Sequence, residues 1–328
     1  MRPSVTVVIV NYNSGARLAQ CLAHLKAQTF QGFETIVVDN ASADQSANAA
    51  RGGEQVVLIE AGANLGFAAA NNLAAKRAQG EWLAFLNPDA YAAPDWLAEL
   101  LAAAARWPQA DAFGSTQIDA LDPSRLDGAG DVFHAFGVAY RGHVGWPVAA
   151  LPPEGECFAP CGAAAFYRKA AFDRLGGFDE RFFCYSEDVD LGFRLRLDGG
   201  MAVQAAKAVV RHEGSGITGR HSDFTVYHGH RNRVWTYVLN MPAPLLAVTL
   251  PFHLIVNLYL LARFTVSGGV GAYLRAMGDA AKGLPALWRD RRARQMARTA
   301  SVIDVARALT WSPVKVMRKE ADIRGRKC

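Results

Sequence analysis

Residues 82–89, Trp-Leu-Ala-Phe-Leu-Asn-Pro-Asp, set five apolar side chains directly against an Asn-Pro-Asp corner. A short apolar run bounded by turn residues reads as a buried strand, and Asn-Pro and Pro-Asp steps favour turns in any protein. The pattern gains meaning from its repetition. Residues 5–10 form a β-branched run closing at Asn11-Tyr-Asn-Ser-Gly, residues 35–39 a second strand ending at Asp39, and residues 56–59 a third. Between them lie Leu18, Cys21, Leu22 and Leu25 at helical spacing, a short helix over 41–50, and an Ala-rich helix opened by Asn64-Leu-Gly-Phe67. Strands alternating with helices predict an α/β fold with a largely parallel sheet. Ligands of such sheets bind beyond the carboxyl ends of the strands. Asn11, Asp39, Asn64 and Asp89 all fall at or near such ends, which predicts one shared cleft.

The cleft lacks the usual glycine devices for phosphate. The first strand is followed by NYNSGARL rather than Gly-x-Gly-x-x-Gly, and the chain holds no Gly-x-x-x-x-Gly-Lys-Ser/Thr. A bound nucleotide would therefore need another source of positive charge. A magnesium or manganese ion on the Asp89 carboxylate would supply it.

The remaining sequence sets wider limits. A chain of 328 residues with 51% hydrophobic side chains buries a large core and is not mostly disordered. Its net charge of +5 is unevenly spread, since residues 263–328 carry fifteen Lys/Arg against five Asp/Glu. A basic tail behind an acidic body points to a local anionic partner and away from a nucleic-acid-binding surface. The five cysteines are few, and Cys157 and Cys161 have no second metal-spaced pair, so reduced thiols are expected. The apolar run at the N-terminus is too short for a signal peptide. After Pro94, DWLAELLAAAARW is a helix, whereas 111–155 yields only hairpin-like pieces.

Two later stretches carry charge where it is costly. GGFDERFFCYSEDVD ends in Glu187, Asp188 and Asp190, and VVRHEG places His212 directly after a strand. Crowded carboxylates need cations, buried donors or helix N-terminal amides. Asp190 and Arg194, four apart, are spaced to brace one another on a helix.

Taken in order, VTVVIVNYNSG, ETIVVDNAS, ANLGFAAANN, WLAFLNPDA, GAAAFYRKAAFDRLGGFDERFFCYSEDVDLGFRLRLDG and VVRHEGSGI resemble the inverting family 2 glycosyltransferases of GT-A fold. The likeness is to their bacterial rhamnosyltransferase-like branch, with a weaker echo in HRNRVWTY. The resemblance implies that Val10, Asn11 and Asp39 hold the nucleobase and ribose of a nucleotide sugar, with Asn64, Gly66 and Phe67 shaping the same pocket. The family's Asp-x-Asp falls on Asn87-Pro-Asp89, so Asp89 inherits the Mg2+ or Mn2+, with one charge fewer because of Asn87. Asp188 would be the catalytic base and His212 would lie near the metal and diphosphate. Glu187, Arg194 and Arg231 are candidate acceptor or diphosphate contacts. A free carboxylate, with a pKa of ~4, is a weak base for an alcohol, so the proton must move late, as the anomeric carbon becomes cationic.

The implied donor is dTDP-rhamnose, with UDP-linked hexose, galactofuranose or N-acetylhexosamine as alternatives. A glycan-binding scaffold without turnover is the rival from another class, and joint retention of Asp89, Asp188 and His212 argues against it. The expected division is a catalytic domain over 1–233, in halves 1–105 and 106–233, then a helical membrane-associating tail over 234–328. Residues 234–262 hold no Asp, Glu, Lys or Arg, and roughly 20 apolar residues suffice to span a bilayer. Pro242, Pro244, Pro251, His253 and Asn257 favour an interfacial or re-entrant element, with a spanning helix or burial against the body or a dimer partner as alternatives. Arg289, Arg291, Arg292 and Arg294 would face an anionic leaflet. Such an enzyme would work at the cytoplasmic face of the bacterial inner membrane on a polyprenyl-linked glycan or polysaccharide, and a homo-oligomer is open.

Overall fold

The computed structural model describes residues 3–53, 55–214 and 222–325. Its strands are β1 (Val5–Asn11), β2 (Phe33–Asp39), β3 (Val56–Glu60), β4 (Trp82–Leu86), β5 (Ala90–Ala92), β6 (Ala112–Asp119), β7 (Leu126–Gly128), β8 (Asp131–His134), β9 (Val138–Arg141), β10 (Gly155–Cys157), β11 (Ala164–Arg168) and β12 (Ala202–His212). The helices are α1 (Arg17–Lys26), α2 (Gly66–Ala75), α3 (Trp96–Arg106), α4 (Lys169–Arg174), α5 (Glu187–Leu197), α6 (Asp223–Asn240), α7 (Ala243–Ser267), α8 (Val270–Met296), α9 (Val302–Ala308) and α10 (Pro313–Arg318).

The main sheet runs β10-β12-β6-β11-β4-β1-β2-β3, with β5 on β12 and β7 on β6, while β8 and β9 form a separate hairpin. Strands β3, β2, β1 and β4 are mutually parallel, as expected. Beyond them β11 runs antiparallel to β4 and β6, and β6 and β12 are parallel again. Alternation along β1 sends Val7 and Ile9 into a core beneath α1 and α3, and Val8 and Val10 into a second core beneath α2 and α4. Register aligns Asn11 with Asp39 and Asp39 with Glu60, so the polar strand ends share one rim.

Three expectations change. The helix over 41–50 shrinks to a 3-10 turn at Ser46–Ala50. Ala41 and Gln45 adopt φ of 62° each, and the Asp44 carboxylate accepts the Gly15 and Ser46 amides, so local side-chain bonds compete with the helix. The weakly patterned 111–155 contains β6, a central strand. It was hidden because Ser115, Thr116 and Gln117 are buried polar residues, with Ser115 Oγ accepting Trp96 Nε1 at 2.8 Å. The boundary at 233 falls inside α6.

Nor is the tail a separate layer. Glu156 and Arg324 exchange backbone hydrogen bonds at 2.7 and 2.9 Å, fastening the C-terminal segment to β10. Arg291 is buried, donating to the Val238 and Met241 carbonyls. Arg294 donates to Asp190, Asn240 and Asp179. These two arginines knit the tail to the body, and only Arg289 and Arg292 of the four are exposed. Charge counting along a sequence does not reveal which guanidinium finds a buried acceptor.

Helix α7 is amphipathic in reverse. Thr249, His253 and Asn257, spaced by four, face inward: Tyr237 Oη meets Thr249 Oγ1 at 2.8 Å, His253 Nδ1 meets the Phe136 carbonyl at 2.9 Å, and Asn257 Oδ1 accepts Arg233 at 2.5 Å. Leu250, Phe252, Leu254, Ile255, Leu258 and Tyr259 are left exposed. Among the described residues, α7 alone is long and apolar enough to cross a membrane.

Candidate active site

The rim expected to hold the nucleotide is built at the ends of β1 and β2. Asn11 Nδ2 donates to Asp39 Oδ1 at 2.8 Å and to Ser46 Oγ at 2.8 Å, while Asp39 Oδ2 accepts the Ser42 amide at 3.1 Å. Asn40 reaches Asn64 Oδ1 at 3.2 Å and the Gly66 carbonyl at 3.1 Å, and Asn64 Oδ1 accepts the Gly66 amide at 3.0 Å. Gly66 sits at φ +81°, and a Cβ there would lie 2.5 Å from the Phe183 ring and 2.6 Å from its carbonyl oxygen. Only glycine allows that approach. Phe67 packs edge-on to Phe178, with centroids 5.9 Å apart.

That close approach ties the pocket to the segment before α5. Phe183, Tyr185 and Ser186 all have positive φ, a costly run for residues with side chains. Asn232, fully buried on α6, holds it by donating Nδ2 toward the Phe182, Cys184 and Tyr185 carbonyls at 2.7–2.9 Å. Arg231 donates to the Arg181 and Phe182 carbonyls and lies 4.3 Å over the Trp235 ring. The HRNRVWTY stretch thus clamps the turn that leads into Glu187 and Asp188.

Asp188 accepts the Gly162 amide at 2.7 Å and the Val189 amide at 2.8 Å. The adjoining Ala163 carbonyl accepts the Asn87 amide at 2.9 Å. The Asn87-Pro-Asp89 corner and Asp188 therefore flank one dipeptide step, Gly162-Ala163. Small residues at 162–165 permit this closeness. Residues distant in sequence are brought to one rim.

Asp89 and His212, the residues expected near the metal, meet one another. Both are buried, with His212 Nε2 3.4 Å from Asp89 Oδ1, and among the described residues neither of those atoms has a hydrogen-bond partner. His212 Nδ1 lies 2.7 Å from Asp127 Oδ2. Burial opposes the imidazolium, but the Asp127 and Asp89 carboxylates outweigh it and raise the His212 pKa. Burial likewise opposes the Asp89 carboxylate, and His212 with Arg17 more than compensates, lowering its pKa. Two orphaned, buried ligating atoms facing one another fit a small divalent cation. The Ser215–Ile217 end of the VVRHEGSGI stretch lies outside the described residues.

Other candidates are placed differently from expectation. Arg194 is spent on Asp190 Oδ2 at 2.8 Å and on the Leu175 and Gly177 carbonyls, so its donors brace α5 and do not face a ligand. Glu187 is buried, and burial followed by Asp188 pushes its carboxyl well above the usual range. Arg231 serves the turn described above.

Sequence reasoning missed Asp127, Asp131, Arg141 and Cys161. Asp127 pairs with Arg141, and ligating atoms of Asp131, Cys161 and Asp188 lie within 4.8 Å of one another. Burial pushes the Asp131 carboxyl well up, with Asp188 adding. A thiol suits softer metals than magnesium or manganese, so Asp89 and His212 match the expected ion better. The available signal was LDGAGD at 126–131, two acids around a glycine turn. The described cysteines are free thiols.

The glycosyl transferase family 2 profile matches residues 6–176. The N-acetylglucosaminyl-diphospho-decaprenol L-rhamnosyltransferase of Mycobacterium tuberculosis is 32% identical over 246 residues, spanning 67% of this chain and 79% of that protein. A mannosyltransferase of Pyrobaculum calidifontis, solved in complex with GDP-Man and Mn2+, superposes with a TM-score of 0.54 at 20% identity, covering 97% of this chain and 88% of that one. GalNAc-T7, solved with UDP, GalNAc and Mn2+, gives 0.56 at 16% identity over 73% and 48%. At these identities the two structures share the fold.

Proposed function

The chain belongs to glycosyl transferase family 2, and we propose that it moves L-rhamnose from dTDP-rhamnose, with inversion, onto a hydroxyl of a lipid-linked or polysaccharide glycan. The enzyme class follows from the family; the donor sugar is our reading, supported by the rhamnosyltransferase relative. The observation that carries the mechanism is the Gly162-Ala163 step, which holds Asp188 on one side and the Asn87-Pro-Asp89 corner on the other.

Asn11, Asp39, Asn64 and Gly66 would cradle the nucleoside. Asp89 and His212 would hold Mg2+ or Mn2+, which when bound neutralises charge on the departing diphosphate. Asp188 would take the acceptor hydroxyl proton, its carboxylate aimed by the Gly162 and Val189 amides. One base on the acceptor side suits direct displacement, and a covalent sugar–enzyme step would need a nucleophile against the ring.

The apolar outer face of α7 would rest in the cytoplasmic leaflet of the inner membrane, where exposed Arg289 and Arg292 meet anionic headgroups. In that arrangement the acceptor would be a polyprenyl-linked glycan. A panel of nucleotide sugars, read by thermal shift with and without magnesium or manganese, tests the donor. Metal-dependent stabilisation by dTDP-rhamnose above UDP- and GDP-sugars is expected, and selective stabilisation by a UDP-sugar would overturn the rhamnose assignment.

A further inference from the structure

The contact between His212 and Asp127 has no part in the chemistry above, yet it is the most fully buried polar contact at the metal side. We propose that Asp127 is a positioning residue that fixes the His212 tautomer and aims Nε2 at the cation shared with Asp89. This rests on the metal reading above.

Asp127 Oδ2 lies 2.7 Å from His212 Nδ1, and a carboxylate there accepts only from a protonated Nδ1. In the neutral ring this leaves Nε2 with its lone pair. Nε2 faces Asp89 Oδ1 at 3.4 Å, and among the described residues neither atom has a hydrogen-bond partner. Two buried lone pairs confronting one another repel unless a proton or a cation lies between them, and a bound divalent ion would take the proton's place. A carboxylate behind a metal-bound imidazole sets ring orientation and raises ligand basicity.

Asp127 is itself built in. Its side chain is 4% exposed and pairs with Arg141 from the β8–β9 hairpin. Gly128 makes room for the aliphatic stem of Arg141, because a Cβ there would collide with its Cγ and Cδ. Gly130, at φ +71°, turns the chain from β7 into β8 so that the hairpin folds back over Asp127. The sheet brings the partners together: β7 lies on β6, and β6 lies beside β12, which ends at His212. The order Arg141, Asp127, His212, cation is thus a supported relay of position.

The test uses the full chain and Mn2+ with dTDP, free Mn2+ being read by electron paramagnetic resonance. Asp127→Asn replaces a pure acceptor with an amide that also donates to Nδ1, releasing the tautomer. Its Mn2+ affinity should fall about 10–100-fold. His212→Ala should lose at least as much, and the double variant should bind no more weakly than His212→Ala alone, because Asp127 acts through the ring. Parent-like Mn2+ affinity in Asp127→Asn, with weakened binding in His212→Ala, overturns this inference and leaves the metal reading intact. Parent-like affinity in His212→Ala overturns the metal reading itself. If Asp127→Asn fails to fold, nitrogen-15 histidine spectra of the parent with Mg2+ and dTDP decide the matter. A protonated Nδ1 and unprotonated Nε2 on His212 are expected, and the opposite tautomer overturns the proposal.

Discussion

Replacing Gly66 with alanine tests whether the nucleotide pocket and the turn before Asp188 form one mechanical unit. The added Cβ would stand 2.6 Å from the Phe183 carbonyl oxygen, against the 3.4 Å where ordinary contact begins, so that backbone must retreat by about 0.8 Å. Two costs combine. A left-handed conformation costs alanine roughly 1–2 kcal/mol, and overpacking against a backbone held in place costs roughly 1–3 kcal/mol. The carbonyl is not free to move, because it accepts the Ala68 amide at 3.2 Å and the neighbouring carbonyls are gripped by Asn232. Gly66→Ala should therefore lose about 2–5 kcal/mol in urea unfolding. Because Asp188 follows Phe183 by five residues, the shift also reaches the proposed base. A misplacement near 1 Å costs on the order of 10²-fold in rate. Turnover should fall toward that limit, with dTDP affinity weakened as well. Unchanged unfolding midpoint, dTDP affinity and turnover in this variant would refute the coupling.

Further outcomes follow from the tail. Asp190 is fully buried; burial opposes its charge, but Arg294 and Arg194 pull its pKa down to about 2. A depressed folded pKa adds stability above the unfolded value, ~3.9, and that stability is lost as pH falls toward 2; it amounts to roughly 2–3 kcal/mol. Asp190→Asn should flatten acid unfolding across that window and cost about 3–5 kcal/mol at neutral pH, since two guanidiniums lose their carboxylate; an unaltered acid profile contradicts the assignment. On α7, Leu254 and Leu258 are 55% and 66% exposed, so Leu254→Glu with Leu258→Glu should leave the melting temperature nearly unchanged while abolishing sedimentation with anionic vesicles. Release of the parent by high salt alone, without carbonate, would contradict apolar insertion.

The parallel half of the sheet was legible because β1 to β4 are continuous apolar runs that end in polar corners, and both faces of such strands are covered. Asp89, Asp188 and His212 were singled out by resemblance; the structure sets Asp89 beside His212, and Asp188 and the Asn87-Pro-Asp89 corner on either side of Gly162-Ala163. Strand β6 was hidden because Ser115, Thr116 and Gln117 satisfy themselves inside the protein, which periodicity reads as loop. Asp127 and Arg141 were hidden for a related reason: their partners arrive from other strands, and no local spacing records that. Arg291 and Arg294 show the same limit in reverse, looking like surface charge while binding buried carbonyls and carboxylates. The inward polar stripe of α7 is regular at four-residue spacing, and its direction became visible only against α6.

The account depends most on Asp188 as the acceptor-side base. The direct measurement is calorimetric donor affinity and steady-state turnover of Asp188→Asn beside the parent, with dTDP-rhamnose, magnesium and a glycan acceptor. Donor affinity should stay within about twofold while turnover falls about 10²–10⁴-fold, the usual contribution of a general base. Parent-level turnover by Asp188→Asn would contradict the mechanism.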